Sequence, residues 1–291
     1  MKTIATLLTA WMLLPPVAVA TAQTAPAPAG WVSVSYLPPR EPVHQPIYEE
    51  LREMRFLEKL QEFLSPVRLP RTLLVKVEGC DGDADASYEN DVIVVCYEYI
   101  DELWRTMPEE TTAFGVTPID ALLGPLFDTC LHEFAHALFD MLRLPVFGRE
   151  EDAADQVSAY MMLNFGKAEA RRLIAGTSYG FKTEADALKE PPTIKQFADV
   201  HGMPAQRFYN LLCIAYGADP QLFGDFVDKG YLPTDRAEGC KDEYEQVAYA
   251  HQTLIAPHTD PDLAKKIFDQ SWLPDPEKHM PSRPGSGEKT K

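Results

Sequence analysis

In the stretch "LHEFAHALFDMLRLPVFGREEDAADQ", Leu131 to Gln156, two histidines stand four residues apart and a dense run of carboxylates follows a proline- and glycine-marked turn. On a helix this spacing leaves His132 and His136 about 40° apart around the axis and one turn apart along it, so both imidazoles reach one ion. Glu133 lies a step round the helix from them. HExxH is the pattern of a zinc site in which two neutral imidazoles hold the metal and the intervening carboxylate takes a proton from water. A catalytic zinc also needs a third protein ligand and a vacant fourth place. Glu150, Glu151, Asp152 and Asp155 are the candidates. Glu151 and Asp155 are four apart and share a helical face, so one can bind the metal while the other accepts the free N–H of a ligating histidine. Glu150 and Asp152 have no such partner in the pattern.

The elements that must carry these residues are legible in part. Thr117-Pro118-Ile119-Asp120 is a helix start, with threonine as cap and proline in the first turn, and Gly124-Pro125 is a candidate break, so the main helix is expected from about Pro125 to Leu142. Pro145 and Gly148 mark the turn after it. A second helix is expected from near Arg149, with an acidic first turn that the helix dipole favours. Upstream, Leu51, Met54, Phe56, Leu57, Leu60 and Leu64 follow helical spacing, and the apolar runs "LLVKVEGC" and "DVIVVC" read as two strands of a hairpin. Downstream, "PAQRFYNLLCIAYG", "PQLFGDFVDKG" and "RAEGCKDEYEQVAYAHQTLI" read as three more helices.

The first residues, "MKTIATLLTAWMLLPPVAVATAQ", resemble a secretory signal cut after Ala20 or Ala22, its apolar run too short and too proline-interrupted for a membrane anchor. No later segment is apolar enough for stable membrane insertion. The chain has 27 basic and 44 acidic residues; removal of residues 1–22 takes Lys2 with it and leaves 26 against 44, a net charge of −18. Nucleic acid and anionic lipid are poor partners for such a surface. Five cysteines in an exported chain imply two disulfides and one thiol. The expected hairpin brings Cys80 to Cys96, Cys213 and Cys240 flank a helix-loop stretch, and Cys130 in its apolar run is the buried free thiol. Periplasmic or extracellular localisation follows from this reading.

"HEFAH" followed by "EDAAD" is similar to the gluzincin metallopeptidases. More closely, "LHEFAHALFDMLRLPVFGREEDAAD" together with "QRFYNLLCIAYGADP" resembles a family of exported bacterial proteins of metallopeptidase type whose domain has no assigned function, over most of the chain from about Ile47 to Pro257. The resemblance implies an α+β, zincin-like fold, predominantly helical with a small sheet. It implies His132, His136 and Glu151 as zinc ligands, Glu133 as catalytic base, Asp155 as the carboxylate behind a ligating histidine, and a peptide or protein substrate. Gluzincins usually add a later residue that stabilises the oxyanion; His201, Arg207, Tyr209 and Tyr216 are candidates, with His201 preferred because it precedes a helix. The expected layout is a signal peptide over 1–22, a mobile Pro/Ala-rich leader over 23–45, a zincin-like domain over 46–273 and a disordered tail over 274–291.

Two other readings weigh less. "CDGDADASYEND" alternates aspartates like a calcium loop, but Ala86 stands where the sharp turn needs glycine and Val92 where a bidentate glutamate belongs, which leaves an acidic hairpin loop. The rival to an enzyme is a non-hydrolytic exported binding protein in which zinc only staples two helices. Structural zinc sites are usually closed by four ligands, however, and Cys130, about 200° round the helix from His132, points away from such a site.

Overall fold

The computed structural model describes residues 31–277; the expected signal peptide and the tail beyond Glu277 lie outside the described residues. One small sheet is built from β1 (Val32–Tyr36), β2 (Leu73–Glu78), β3 (Ala86–Glu89) and β4 (Val92–Cys96), in the order β1-β2-β4-β3. The helices are α1 (Gln45–Glu53), α2 (Phe56–Leu64), α3 (Tyr97–Thr106), α4 (Pro118–Met141), α5 (Glu150–Leu163), α6 (Lys167–Ala187), α7 (Pro204–Ala218), the short α8 (Asp225–Asp228) and α9 (Thr234–Ala237), α10 (Cys240–Leu254) and α11 (Pro261–Phe268). The architecture is α+β, mostly helical, with both histidines of the motif on α4.

Leu73, Val75 and Val77 of β2 and Ile93 and Val95 of β4 are fully buried, the alternation of strands covered on one face. These two runs are not the arms of a hairpin. β2 and β4 pair in parallel, Val75 opposite Ile93 and Glu78 opposite Cys96, and the intervening segment supplies β3, which pairs antiparallel with β4. Asn90 and Asp91 both have positive φ (51° and 66°), the backbone that a tight two-residue hairpin requires and that Asn and Asp tolerate best. The hairpin therefore lies inside the stretch expected to be only an acidic loop. The expected Cys80–Cys96 disulfide is present, but what joins it is parallel register: the chain passes Glu78 beside Cys96 and brings Cys80 back across it. Cys213–Cys240 ties α7 to the start of α10, and Cys130 is buried and free.

The segment expected as a mobile leader is ordered from residue 31. "VSVSY" pairs in parallel with β2, Val34 opposite Val75, and His44 is buried ahead of α1. Its alternating valines are a strand pattern that the surrounding prolines mask. The helix expected across Ile47 to Leu64 is two, broken at Arg55, whose φ of 53° reverses the chain. At the other end, Pro274 of the expected tail accepts a hydrogen bond from Arg172 Nη2 at 2.9 Å.

Pro125 does not break α4, which runs unbroken from its Thr117 cap, where Oγ1 accepts the Asp120 N–H. It is buried on nearly every side, as its all-round apolar sequence demands. The crossing with α6 explains why α6 itself, in "IAGTSYGFKT", does not read as a helix. Gly176 lies against the Asp120 carbonyl, Gly124 against the backbone of Gly176 and Thr177, and Gly180 faces the Pro125 ring. These glycines are helix breakers by propensity, but here they let two backbones approach with no side chain between them. Gly176→Ala is accordingly expected to lower stability by at least about 1–3 kcal/mol, the usual cost of overpacking, because its Cβ would meet backbone that cannot yield. Denaturant unfolding of the purified variant checks this, and parental stability would show that the crossing is loose.

Candidate metal centre

α4 and α5 are joined by a turn in which Arg143 and Gly148 take positive φ, so α5 runs back beside α4 and sets its acidic first turn opposite the two histidines. Ser158 of α5 fixes the pairing by donating to the Asp128 carbonyl and carboxylate on α4, at 3.0 and 2.6 Å. Three atoms able to hold a metal ion converge. His132 Nε2 lies 3.0 Å from Glu151 Oε2, His136 Nε2 lies 3.2 Å from it, and the two nitrogens are 3.2 Å apart.

Each imidazole is held from behind by a different carboxylate of α5. His132 Nδ1 is 2.8 Å from Asp155 Oδ1, and His136 Nδ1 is 2.7 Å from Glu150 Oε1. With each Nδ1–H donated to its carboxylate, both Nε2 lone pairs face the Glu151 oxygen. With neither Nε2 protonated, three acceptors around one point repel unless a cation sits between them, and their spacing is close to the roughly 3.3 Å edge of a tetrahedron with bonds of about 2.0–2.1 Å. The donor set thus fits a metal ion. Burial disfavours a charge on His132, but the Asp155 and Glu151 carboxylates outweigh it and push the pKa up to about 9. The hydrogen bond to His132 brings Glu151 down to about 2. Asp155 also falls to about 2: burial opposes this, and the His132 contact and Arg207 overcome it. A metal entering the site displaces the proton held by His132.

Glu133 is 8% exposed and makes no hydrogen bond or ion pair with the described residues. Burial raises its pKa against the pull of the two histidines. It lines a cleft of 740 Å³ together with His132, His136, Glu151 and His201. His201 comes from the exposed segment before α7; its Nε2 is 2.9 Å from Glu151 Oε2, and its ring stacks 5.7 Å from that of His132. It stays outside the group of ligand atoms that lie within 4.8 Å of one another, which is His132, His136 and Glu151.

Residues 36–255 match the model of a family described as "Putative metallopeptidase". The chain belongs to that family. No curated protein and no solved structure is significantly similar to it. The match takes in all of the metallopeptidase-type site, from β3 through α7.

Three placements differ from the pattern read in the sequence. Glu150, expected to have no partner, holds His136: adjacent residues on a helix diverge by about 100°, so Glu150 and Glu151 reach different atoms of the histidine pair. Arg207 is not a free donor to substrate, since its guanidinium grips Asp155 through two bonds of 2.8 and 2.7 Å and stacks 4.4 Å from the Phe181 ring. Tyr209 is exposed and Tyr216 packs on the core, and neither lines the cleft, whereas Tyr88 and Tyr99 do. Nothing in the calcium-like run gathers: Asp81 pairs with Arg40, and Asp85 bonds the Ala86 N–H.

Asp155 therefore carries two loads. Asp155→Ala is expected to weaken metal affinity by about 10–100-fold, as loss of a residue behind a ligand does. It also strands the half-buried Arg207 charge, a change expected to cost up to about 3–5 kcal/mol, the range for fully buried pairs. Metal titration and melting curves read the two effects separately; a variant that melts like the parent would show Arg207 to be well solvated.

Proposed function

We propose that the protein is an exported zinc-dependent peptidase that cleaves peptide bonds by direct attack of water. The convergence of His132 Nε2, His136 Nε2 and Glu151 Oε2 beside an unpartnered Glu133 carries this reading. Two nitrogens and one carboxylate oxygen suit zinc, and three protein ligands leave a place open, as catalytic sites do. A zinc ion held there would supply Lewis acidity to the water and to the scissile carbonyl.

Glu133 accepts the proton of the attacking water and passes it to the leaving amine; its raised pKa brings it closer to the range where one group can do both. His201, on the rim of the cleft, donates to the carbonyl oxygen as negative charge develops on it. β3 has only β4 as a partner among the described strands, and its residues line the cleft, so an extended peptide can lie along its open edge. Two disulfides fit an oxidising compartment, and no helix of the described residues is long and apolar enough to cross a membrane.

A structural zinc staple requires closed coordination. The one free thiol, Cys130, is buried and does not line the cleft. Digestion of an unbiased peptide library by the zinc-loaded protein, read by mass spectrometry with and without chelator, tests the proposal. Chelator-sensitive cleavage is expected, and a fully loaded protein that cleaves no peptide would overturn it.

A further inference from the structure

On α4, Pro125, Asp128, Thr129, His132 and Glu133 follow i, i+3, i+4, i+7 and i+8, so the helix face that bears the first metal-binding histidine continues toward its N-terminus as one wall of the cleft. Tyr99 of α3 and Phe181 and Glu184 of α6 complete a recess there. Asp128 is 5% exposed. One of its oxygens accepts Ser158 Oγ at 2.6 Å, while the other accepts no hydrogen bond among the described residues. Glu184 of α6 also lines the cleft; it is exposed and makes no ion pair or hydrogen bond among the described residues. Among the described residues Arg207 is the one permanent cation lining the cleft, and its two hydrogen bonds go to Asp155. Arg207 also attracts Asp128 and Glu184 across space, so one guanidinium is shared by three carboxylates and the recess keeps an excess of negative charge beside Pro125 and Phe181. Gly180 keeps the recess open, because a Cβ there would meet the Pro125 ring.

A long side chain with an alkyl stem and a cationic head matches this combination. We propose that the recess is the specificity pocket of the enzyme and takes the lysine or arginine side chain next to the scissile bond, its stem against Pro125 and Phe181 and its head between Asp128 and Glu184. This rests on the peptidase reading above. A free α-amino group carries the same charge, but it would lie close to the attacked carbonyl. Asp128 is four residues, or about 6 Å along the helix, from His132, which matches the reach of a side chain. An acidic side chain entering the recess would face three carboxylates that share one guanidinium.

The test is cleavage of N-acetylated, C-amidated peptides by the zinc-loaded protein, followed by kcat/KM for matched peptides with Lys or Glu at the selected position. Lysine and arginine are expected to dominate one position flanking the cut. Glu184→Lys should lower the Lys-over-Glu ratio by about tenfold or more, since it replaces an attraction with a repulsion, and Asp128→Asn should lower it while keeping an acceptor for Ser158. Cleavage with no preference for a cation would overturn the pocket, as would cleavage only of peptides with a free N-terminus. Absence of all cleavage counts against the peptidase reading instead, and the pocket is then judged by titrating Nα-acetyl-lysine amide and Nα-acetyl-norleucine amide into the zinc-loaded protein. Several-fold tighter binding of the lysine compound, lost in Glu184→Lys, supports it; equal binding overturns it.

Discussion

Glu133→Gln is expected to reduce peptide hydrolysis by about 10²–10⁴-fold, the usual contribution of a positioned general base, while metal content and melting temperature stay at the parental values. The amide has the shape of the carboxylate and can still hydrogen-bond a water molecule in the cleft, but it cannot take that water's proton. Few residues in the chain allow so clean a separation. Glu133 is buried to 8% exposure yet holds no other group in place, so its replacement breaks no hydrogen bond and leaves no partner stranded. It is also not one of the three converging ligands, so metal loading should not follow its charge. Loss of an interaction made only as the bond is attacked appears in kcat and kcat/KM alike, whereas a role confined to binding peptide would appear in KM. Equal hydrolysis by parent and variant, with contaminating proteases excluded by purification from a host that lacks them, would sink the proposed mechanism.

The parts of this site that are local in sequence are the parts that the sequence makes legible. His132, Glu133 and His136 depend on one helix, and Glu151 and Asp155 on one more, and both helices announce themselves through a cap, a proline or an acidic first turn. The disulfide pairs are also legible, although the runs around Cys80 and Cys96 read as a hairpin where the strands are parallel: the apolar runs identify strands, but direction depends on a crossover that no run of residues encodes. Non-local partners left no trace. Arg207 is a candidate for the oxyanion role, but nothing in "PAQRFYN" points to its actual partner Asp155, 52 residues away. α6 was hidden for a related reason, because its glycines report on the neighbour they touch rather than on the helix that carries them. His201 is the exception. Its position before a helix makes it a candidate, and the fold brings it to Glu151 from a segment that is exposed except at the neighbouring Gly202.

His136→Ala is expected to empty the metal site, and the pair Glu151→Ala and Glu150→Ala decides which of two adjacent carboxylates is the ligand. His136 contributes one of three converging atoms, and the two that remain, His132 Nε2 and Glu151 Oε2, cannot hold an ion against competition from water and chelator. The loss should be visible without any assay of activity. Metal at a hundredfold excess over its dissociation constant stabilises a protein that binds it only when folded by about 2.7 kcal/mol, so zinc should raise the parent's melting temperature and leave that of His136→Ala unchanged. Between the carboxylates, geometry predicts unequal outcomes. Glu151 Oε2 lies within 3.0 and 3.2 Å of the two Nε2 atoms, so its loss should cost the metal outright. Glu150 meets His136 on the far side of the ring, at Nδ1, and its side chain is 55% exposed. Water can replace much of what it does there. Glu150→Ala should therefore keep one metal per chain at saturation with affinity reduced by about 10–100-fold or less, the range for residues behind a ligand. If Glu150→Ala empties the site while Glu151→Ala stays loaded, α5 is rotated by one residue from the arrangement described, and the ligand and its supporting carboxylate exchange roles.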